Sequence, residues 1–256
     1  MSIKEIFSII ENPDFKYLLK SKVQILDGNT IPSVAKGIAE FLNIDQKEVL
    51  KKWSDKDYLK SLIEQYWFID ESILNDDLMY PLEGYLYPET YFVTEENPTI
   101  ESVTKLALDM MGNVLEGYKS DIEKLGFTPH EFLTFVSVVE RESLFDSDRP
   151  KIAGVFMNRL ESDMLLQSDI TVNYAHQRTG VKVTNDLLQI DSKYNTYKYK
   201  GLPVGPISSV SKVTIESCIH YEDNDYLFFF AKEDGTVIYN KTYADHLKSV
   251  KDNLWY

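Results

Sequence analysis

The 256-residue sequence predicts an α+β fold, a largely helical core with a smaller sheet. Three observations carry that expectation. Capped or amphipathic helix patterns recur along most of the chain. Two short apolar runs, residues 226–231 and 236–240, flank Glu233-Asp234-Gly235 as a hairpin. One helix pattern, residues 128–142, is apolar on nearly every side and so must be buried on several faces at once.

From Ser2 to Glu11, Ile3, Ile6, Phe7 and Ile10 fall at helical spacing, and Asn12-Pro13-Asp14 ends the helix. Val23-Gln24-Ile25-Leu26 reads as a strand and Asp27-Gly28-Asn29 as a turn. Pro32 opens a helix through Phe41, and residues 45–53 and 57–66 read as further helices. The character changes at Glu83: residues 83–93, EGYLYPETYFV, hold four aromatics and a proline, too irregular for a helix and expected to form an extended, structured loop.

Asn97-Pro98-Thr99 introduces a long helix carrying Val103, Leu106, Met110, Val114 and Leu115, and the region closes near Gly126. Thr128-Pro129-His130-Glu131 then combines an N-cap, a first-turn proline and a glutamate three residues after the cap, the capping-box arrangement. A helix from Pro150 to Leu160 follows, then the run LQSDITVNYA and a polar stretch to Asp191. Residues 194–208, YNTYKYKGLPVGPIS, form a shaped loop whose glycines and prolines fix turns and whose tyrosines suit stacking on flat ligand faces. A helix over residues 212–220 precedes the hairpin.

Composition excludes several classes. With 27 basic against 41 acidic residues, a net charge of −14, the chain lacks the basic footprint of a nucleic-acid binder. The longest apolar run, residues 226–231, is far short of the roughly 20 residues a membrane helix needs. One cysteine, Cys218, excludes an intrachain disulfide and a Cys-rich metal site, and it reads as a small buried apolar residue. The opening MSIKEIFSII has no signal-peptide pattern, so the protein is cytosolic or its targeting segment has been removed. The four histidines follow no metal-ligand spacing and are expected to be structural.

The chemistry centres on Glu142. Val139, Val138 and Phe135, one and two turns back, are apolar, which puts its carboxyl on a buried face, while Glu140 points about 200° away at roughly 100° per residue. Desolvation and the negative end of the helix dipole both raise a carboxyl pKa, placing Glu142 to hold a proton near neutral pH. On pattern alone, Glu140-Arg141-Glu142 reads more readily as a solvated helix end.

Six strings in fixed order, EGYLYPET (83–90), SVVERES (137–143), VFMNRL (155–160), LQSDITV (166–172), YNTY (194–197) and GLPVGPI (201–207), resemble the MltG (YceG-like) family, over a span from about Gln24 to the C-terminus. In that family the catalytic acid is the second acid of a Glu-(Lys or Arg)-Glu string, which here is Glu142, with Glu140 supporting it. The resemblance implies an endolytic lytic transglycosylase that cleaves the β-1,4 bond between N-acetylmuramic acid and N-acetylglucosamine in peptidoglycan and leaves a 1,6-anhydromuramoyl end, without cofactor or metal. Its partners would be glycan strands and peptidoglycan synthases. It also implies that residues 1–22 end a LysM-like subdomain, and that residues 23–256 form the catalytic domain, with a helical lobe at 23–80 and the catalytic core at 81–256. The parent protein would be anchored in the bacterial plasma membrane by one N-terminal helix, with this portion outside.

Around Glu142, Asn195 with Tyr194 and Tyr197 is expected to contact the sugar, or else to cap a turn among core tyrosines. Gln167 and Asp169 either bond the glycan or orient Glu142, or else belong to an ordinary polar loop. Glu83 and Glu89 are further supporting candidates, and Arg141 and Arg159 read as structural ion-pair members. Val204, Ile170 and Leu247 depart from the family pattern and bear on loop geometry only. Two rival readings stand beside this one: a muramidase-type hydrolase using a second carboxylate, Asp169 or Glu89, and a non-catalytic glycan-binding scaffold.

Overall fold

The computed structural model describes residues 2–11, 22–179 and 183–253. Helix α1, Ile3–Glu11, forms where the apolar spacing places it; its expected Asn12-Pro13-Asp14 stop, and most of the segment expected to end a LysM-like subdomain, lie outside the described residues. Among the described residues no helix is long and apolar enough to cross a membrane.

Strand β1, Lys22–Gln24, pairs antiparallel with β2, Thr90–Phe92, in the register Val23 opposite Tyr91, both buried. The segment 83–93 is therefore not loop throughout: its end is an edge strand whose partner lies far back in the sequence. Helices α2, Ile31–Leu42, α3, Gln46–Lys52, and α4, Lys56–Gln65, follow β1. The first opens on Pro32 and ends at Asn43 in the left-handed conformation; the other two start on Asp45 and Asp55, whose carboxylates accept first-turn amides. Helix α5, Ile100–Glu116, starts on the Thr99 capping box and meets this lobe through Trp53, whose Nε1 donates to Thr104 Oγ1 at 2.9 Å. Helix α6, Lys119–Lys124, is a short turn before the central helix.

Helix α7, Pro129–Glu142, has the expected capping box, with Thr128 and Glu131 each accepting the other's backbone amide, and every residue from Phe132 to Glu140 is buried. It is covered by α8, Arg149–Glu161, α9, Asp169–Ala175, and α10, Lys212–Ile219. Strands β3, Phe228–Ala231, and β4, Val237–Asn240, make the expected hairpin, and helix α11, Tyr243–Asn253, packs on it. The sequence pattern predicted neither α9 nor α11.

Polar groups inside this core cross-link distant segments. His130 meets the Tyr85 hydroxyl at 2.7 Å through Nδ1 and the Val204 carbonyl at 2.9 Å through Nε2, and Ile207 N–H donates to Ser137 Oγ at 3.0 Å. Segments 83–90 and 201–207 thus close on the same face of α7. Cys218 is buried, as its sequence context suggests.

Candidate active site

Glu142 is the last residue of α7, where the helix leaves the core and Ser143 turns extended. Its Oε1 accepts a 2.5 Å hydrogen bond from Ser168 Oγ, the residue preceding α9. The residue is half-buried, and desolvation, aided by the negative charge of Asp169, pushes its pKa up to about 7; the Ser168 bond and the charge of Arg159 oppose that rise. A carboxyl poised there holds its proton for a substantial fraction of the time at neutral pH, as a general acid must.

The carboxyl opens into a cavity of about 490 Å³, within the range of small-ligand sites. Its apolar wall comes from the hairpin and α8, chiefly Phe228, Phe230 and Phe156; its polar wall from Arg159, Gln167, Asp169, Tyr197 and His246. Arg159 shapes both walls. Its Nε donates to the Leu227 carbonyl at 2.6 Å, its Nη1 to the Leu165 and Leu166 carbonyls at 3.1 and 2.8 Å, and its guanidinium lies 4.9 Å from the Phe228 ring centroid. The expected ion pair is replaced by carbonyl contacts. Gln167, in the left-handed conformation at φ 49°, turns the chain so that Ser168 reaches Glu142, and the Thr196 carbonyl and hydroxyl hold the amides of Gln167 and Ser168.

The structure therefore brings Gln167, Asp169 and Tyr197 to one cavity with Glu142. Tyr197 donates to the Asp169 carboxylate at 2.5 Å; desolvation raises the Asp169 pKa and this bond lowers it. Asn195 and Tyr194 do not share that placement. Asn195 is fully buried, its amide donating to the Leu188 and Ile190 carbonyls and its oxygen accepting from Tyr197 N–H, so it caps the turn that presents Tyr197. Tyr194 is buried against Tyr174 at 4.8 Å between centroids. With no exposed surface, neither side chain can contact a sugar.

Glu140 faces the other side of α7, where its carboxylate is bound by Arg149, Ser211 and Thr214. Glu83 is buried behind the α2 N-terminus, accepting from Ile31 N–H and Tyr174 O–H; desolvation pushes its pKa up to about 8. Glu89 is exposed beside β2, accepting from the Thr90 amide, and does not reach the cavity. Among the described residues, Asp169 is left as the one further carboxylate lining the cavity.

Sequence reasoning missed four residues of this cavity. Ser168 sits inside the string LQSDITV, but a serine between glutamine and aspartate carries no signal of its own. Phe228 and Phe230 read as ordinary hairpin residues. His246, expected to be structural, lines the cavity with Nδ1 buried and without a hydrogen-bond partner among the described residues; its signal, a histidine on the helix after the hairpin, appears only once that helix folds back.

Residues 1–252 match the YceG-like family. The chain belongs to the YceG-like family. Among relatives, it is 34% identical over 229 residues to the endolytic murein transglycosylase of Bacillus subtilis, covering 89% of this chain and 64% of that protein. It is 37% identical over 244 residues to the endolytic murein transglycosylase of Streptococcus pneumoniae serotype 2, covering 90% of this chain and 44% of that one. The chain thus spans less than two thirds of the length of either relative. The crystal structure of a YceG-like protein of Listeria monocytogenes superposes with a TM-score of 0.85 at 36% identity, covering 90% of this chain and 76% of that one. The fold of this chain is α+β, with small two-stranded sheets attached to a helical body, and it is shared with that structure.

Proposed function

We propose that this YceG-like chain is an endolytic peptidoglycan lytic transglycosylase with Glu142 as its acid and base. The observation that carries the reading is the Glu142 carboxyl, raised to about 7, at the wall of an aromatic-lined cavity; the names of its relatives supply the substrate class. Glu142 protonates the glycosidic oxygen as the bond from the muramoyl C1 breaks, and N-acetylglucosamine departs with a free 4-hydroxyl. The resulting carboxylate then takes the proton of the muramoyl C6 hydroxyl as that oxygen bonds to C1. The product is a 1,6-anhydromuramoyl end, the acid is regenerated and no water is consumed. Intramolecular attack gives the high effective molarity that makes a second nucleophile unnecessary. The proposal extends to the parent protein: anchored in the plasma membrane, this portion outside, working beside peptidoglycan synthases to cut nascent strands.

Asp169, in the same cavity, supports a hydrolytic second reading in which it activates water. Mass spectrometry of peptidoglycan digests separates the two. Anhydromuramoyl ends that fall about 10²- to 10⁴-fold in Glu142→Gln, with circular dichroism unchanged, are expected. Reducing ends would establish the hydrolase, and binding without turnover in both proteins the scaffold.

A further inference from the structure

A second cavity, of about 370 Å³, opens beside the first. Ile170 lines both, and Arg141 of the second directly precedes Glu142 of the first. Among the described residues, the charged ones lining it are Arg141 and Arg178, both exposed, in a chain whose net charge is −14. Among the described residues neither guanidinium is ion-paired with a carboxylate. Arg141 Nη1 donates to the Gly28 carbonyl at 3.0 Å, which fixes the guanidinium at the cavity wall while leaving further N–H groups free of that bond. The rest of the wall includes neutral polar residues, Asn29, Ser33 and Gln177 among them.

The nearby negative group does not cancel this charge. Glu83 lies buried behind the same wall, its carboxyl engaged by Ile31 N–H and Tyr174 O–H, and burial favours its neutral form. Two guanidiniums in a pocket without a carboxylate partner among the described residues form a receptor for planar anions, which they bind by paired N–H donors.

We propose that the Arg141–Arg178 cavity binds a carboxylate carried on the lactyl-peptide substituent of a muramoyl sugar, seating it as the neighbouring glycosidic bond reaches Glu142. This rests on the transglycosylase reading and names what sets its preference for one strand over another. In the unsubstituted polymer, N-acetylglucosamine is neutral, so a cationic pocket one residue from the acid distinguishes the sugars by charge. Positioning of this kind acts on binding of the substrate, with the chemical step left to Glu142.

The test uses three glycans: stem-bearing strands, the same strands with their carboxylates converted to amides, and strands stripped of stems, which expose the lactyl carboxylate. In Arg178→Ala and in Arg141→Ala with Arg178→Ala, KM for stem-bearing strands is expected to rise about tenfold or more, as for a charge-assisted hydrogen bond, with kcat within about twofold. KM for the amidated strands should match between variants and wild type. A rise confined to stripped strands assigns the bound group to the lactyl carboxylate. Equal losses on all three glycans, or none on any, overturn the proposal. Should the wild type turn over no glycan, the transglycosylase reading fails by itself. Calorimetric binding of a disaccharide-tetrapeptide to Glu142→Gln, with and without Arg178→Ala, then decides the cavity's role: about tenfold weaker binding upholds it and unchanged binding overturns it.

Discussion

The Ser168 hydroxyl donates to the Glu142 carboxylate at 2.5 Å, tying the end of α7 to the start of α9 across 26 residues of sequence. The donor stabilises the ionised form, whereas desolvation and Asp169 stabilise the protonated one.

The two neighbours should therefore move the pH–rate profile in opposite directions. Ser168→Ala removes an interaction that lowers the Glu142 pKa, so the alkaline limb of kcat/KM shifts to higher pH. Asp169→Asn removes a charge that raises it, and the limb shifts to lower pH. Profiles in which neither limb moves would dissociate the limb from Glu142.

Arg149 and Glu140 form a buried pair at 2.9 Å, with side chains 11% and 4% exposed. Arg149→Ala leaves the Glu140 carboxylate facing only Ser211 and Thr214, and should cost about 3–5 kcal/mol in urea unfolding. The pH–rate limb of the folded fraction should stay where it is, because Glu140 points away from the cavity. A shift of that limb would mean Glu140 acts on the chemistry.

Glu83 makes a distinct claim on stability. Its folded pKa of about 8 lies above the ordinary 4.5, so the folded state retains a proton that the unfolded state has released. Stability from this group is full below about 4.5 and is lost as pH rises towards 8, at up to about 1.4 kcal/mol per pH unit. Glu83→Gln should flatten that slope in urea titrations at pH 5, 6, 7 and 8. Glu142 contributes in the same direction up to about 7 in both proteins, so the difference between them isolates Glu83. Parallel slopes would show that Glu83 ionises normally.

Gly84 is the tightest joint between two of the family strings. It sits at φ 80°, and a Cβ there would collide with the Pro206 ring. Gly84→Ala should therefore cost about 2–4 kcal/mol, combining left-handed strain with overpacking. A melting temperature unchanged from wild type would show that the two segments part freely.

The helices that start on strong caps were legible because a cap is local: Thr128 and Glu131 lie within one turn of each other, and the apolar body after them forces burial. The same helix places Glu142 at its end, but its pattern leaves a solvated end open, and it is the family resemblance carried by SVVERES that singles the residue out. Strand β2 was not legible, since Thr90–Phe92 is a strand only by pairing with Lys22–Gln24. Helix α9 is short, and its DITVNYA carries β-branched residues that favour extended chain, so tertiary packing decides it. Tyr194 and Tyr197 look alike in sequence, yet one is core and the other cavity wall. Which face of an aromatic loop turns outward depends on Asn195 holding two carbonyls across the loop, a relation composition cannot carry.

Arg159 binds carbonyls of both the loop before Ser168 and the chain entering β3. Charge-assisted bonds of this kind are worth about 1.5–3 kcal/mol each, so a state in which hairpin and loop swing apart is scarce at equilibrium. The mouth is stiff. On the proposed transglycosylase activity, whatever bending admission requires falls to the polymer, so slack strands are expected to be cut faster than strands drawn taut by cross-links.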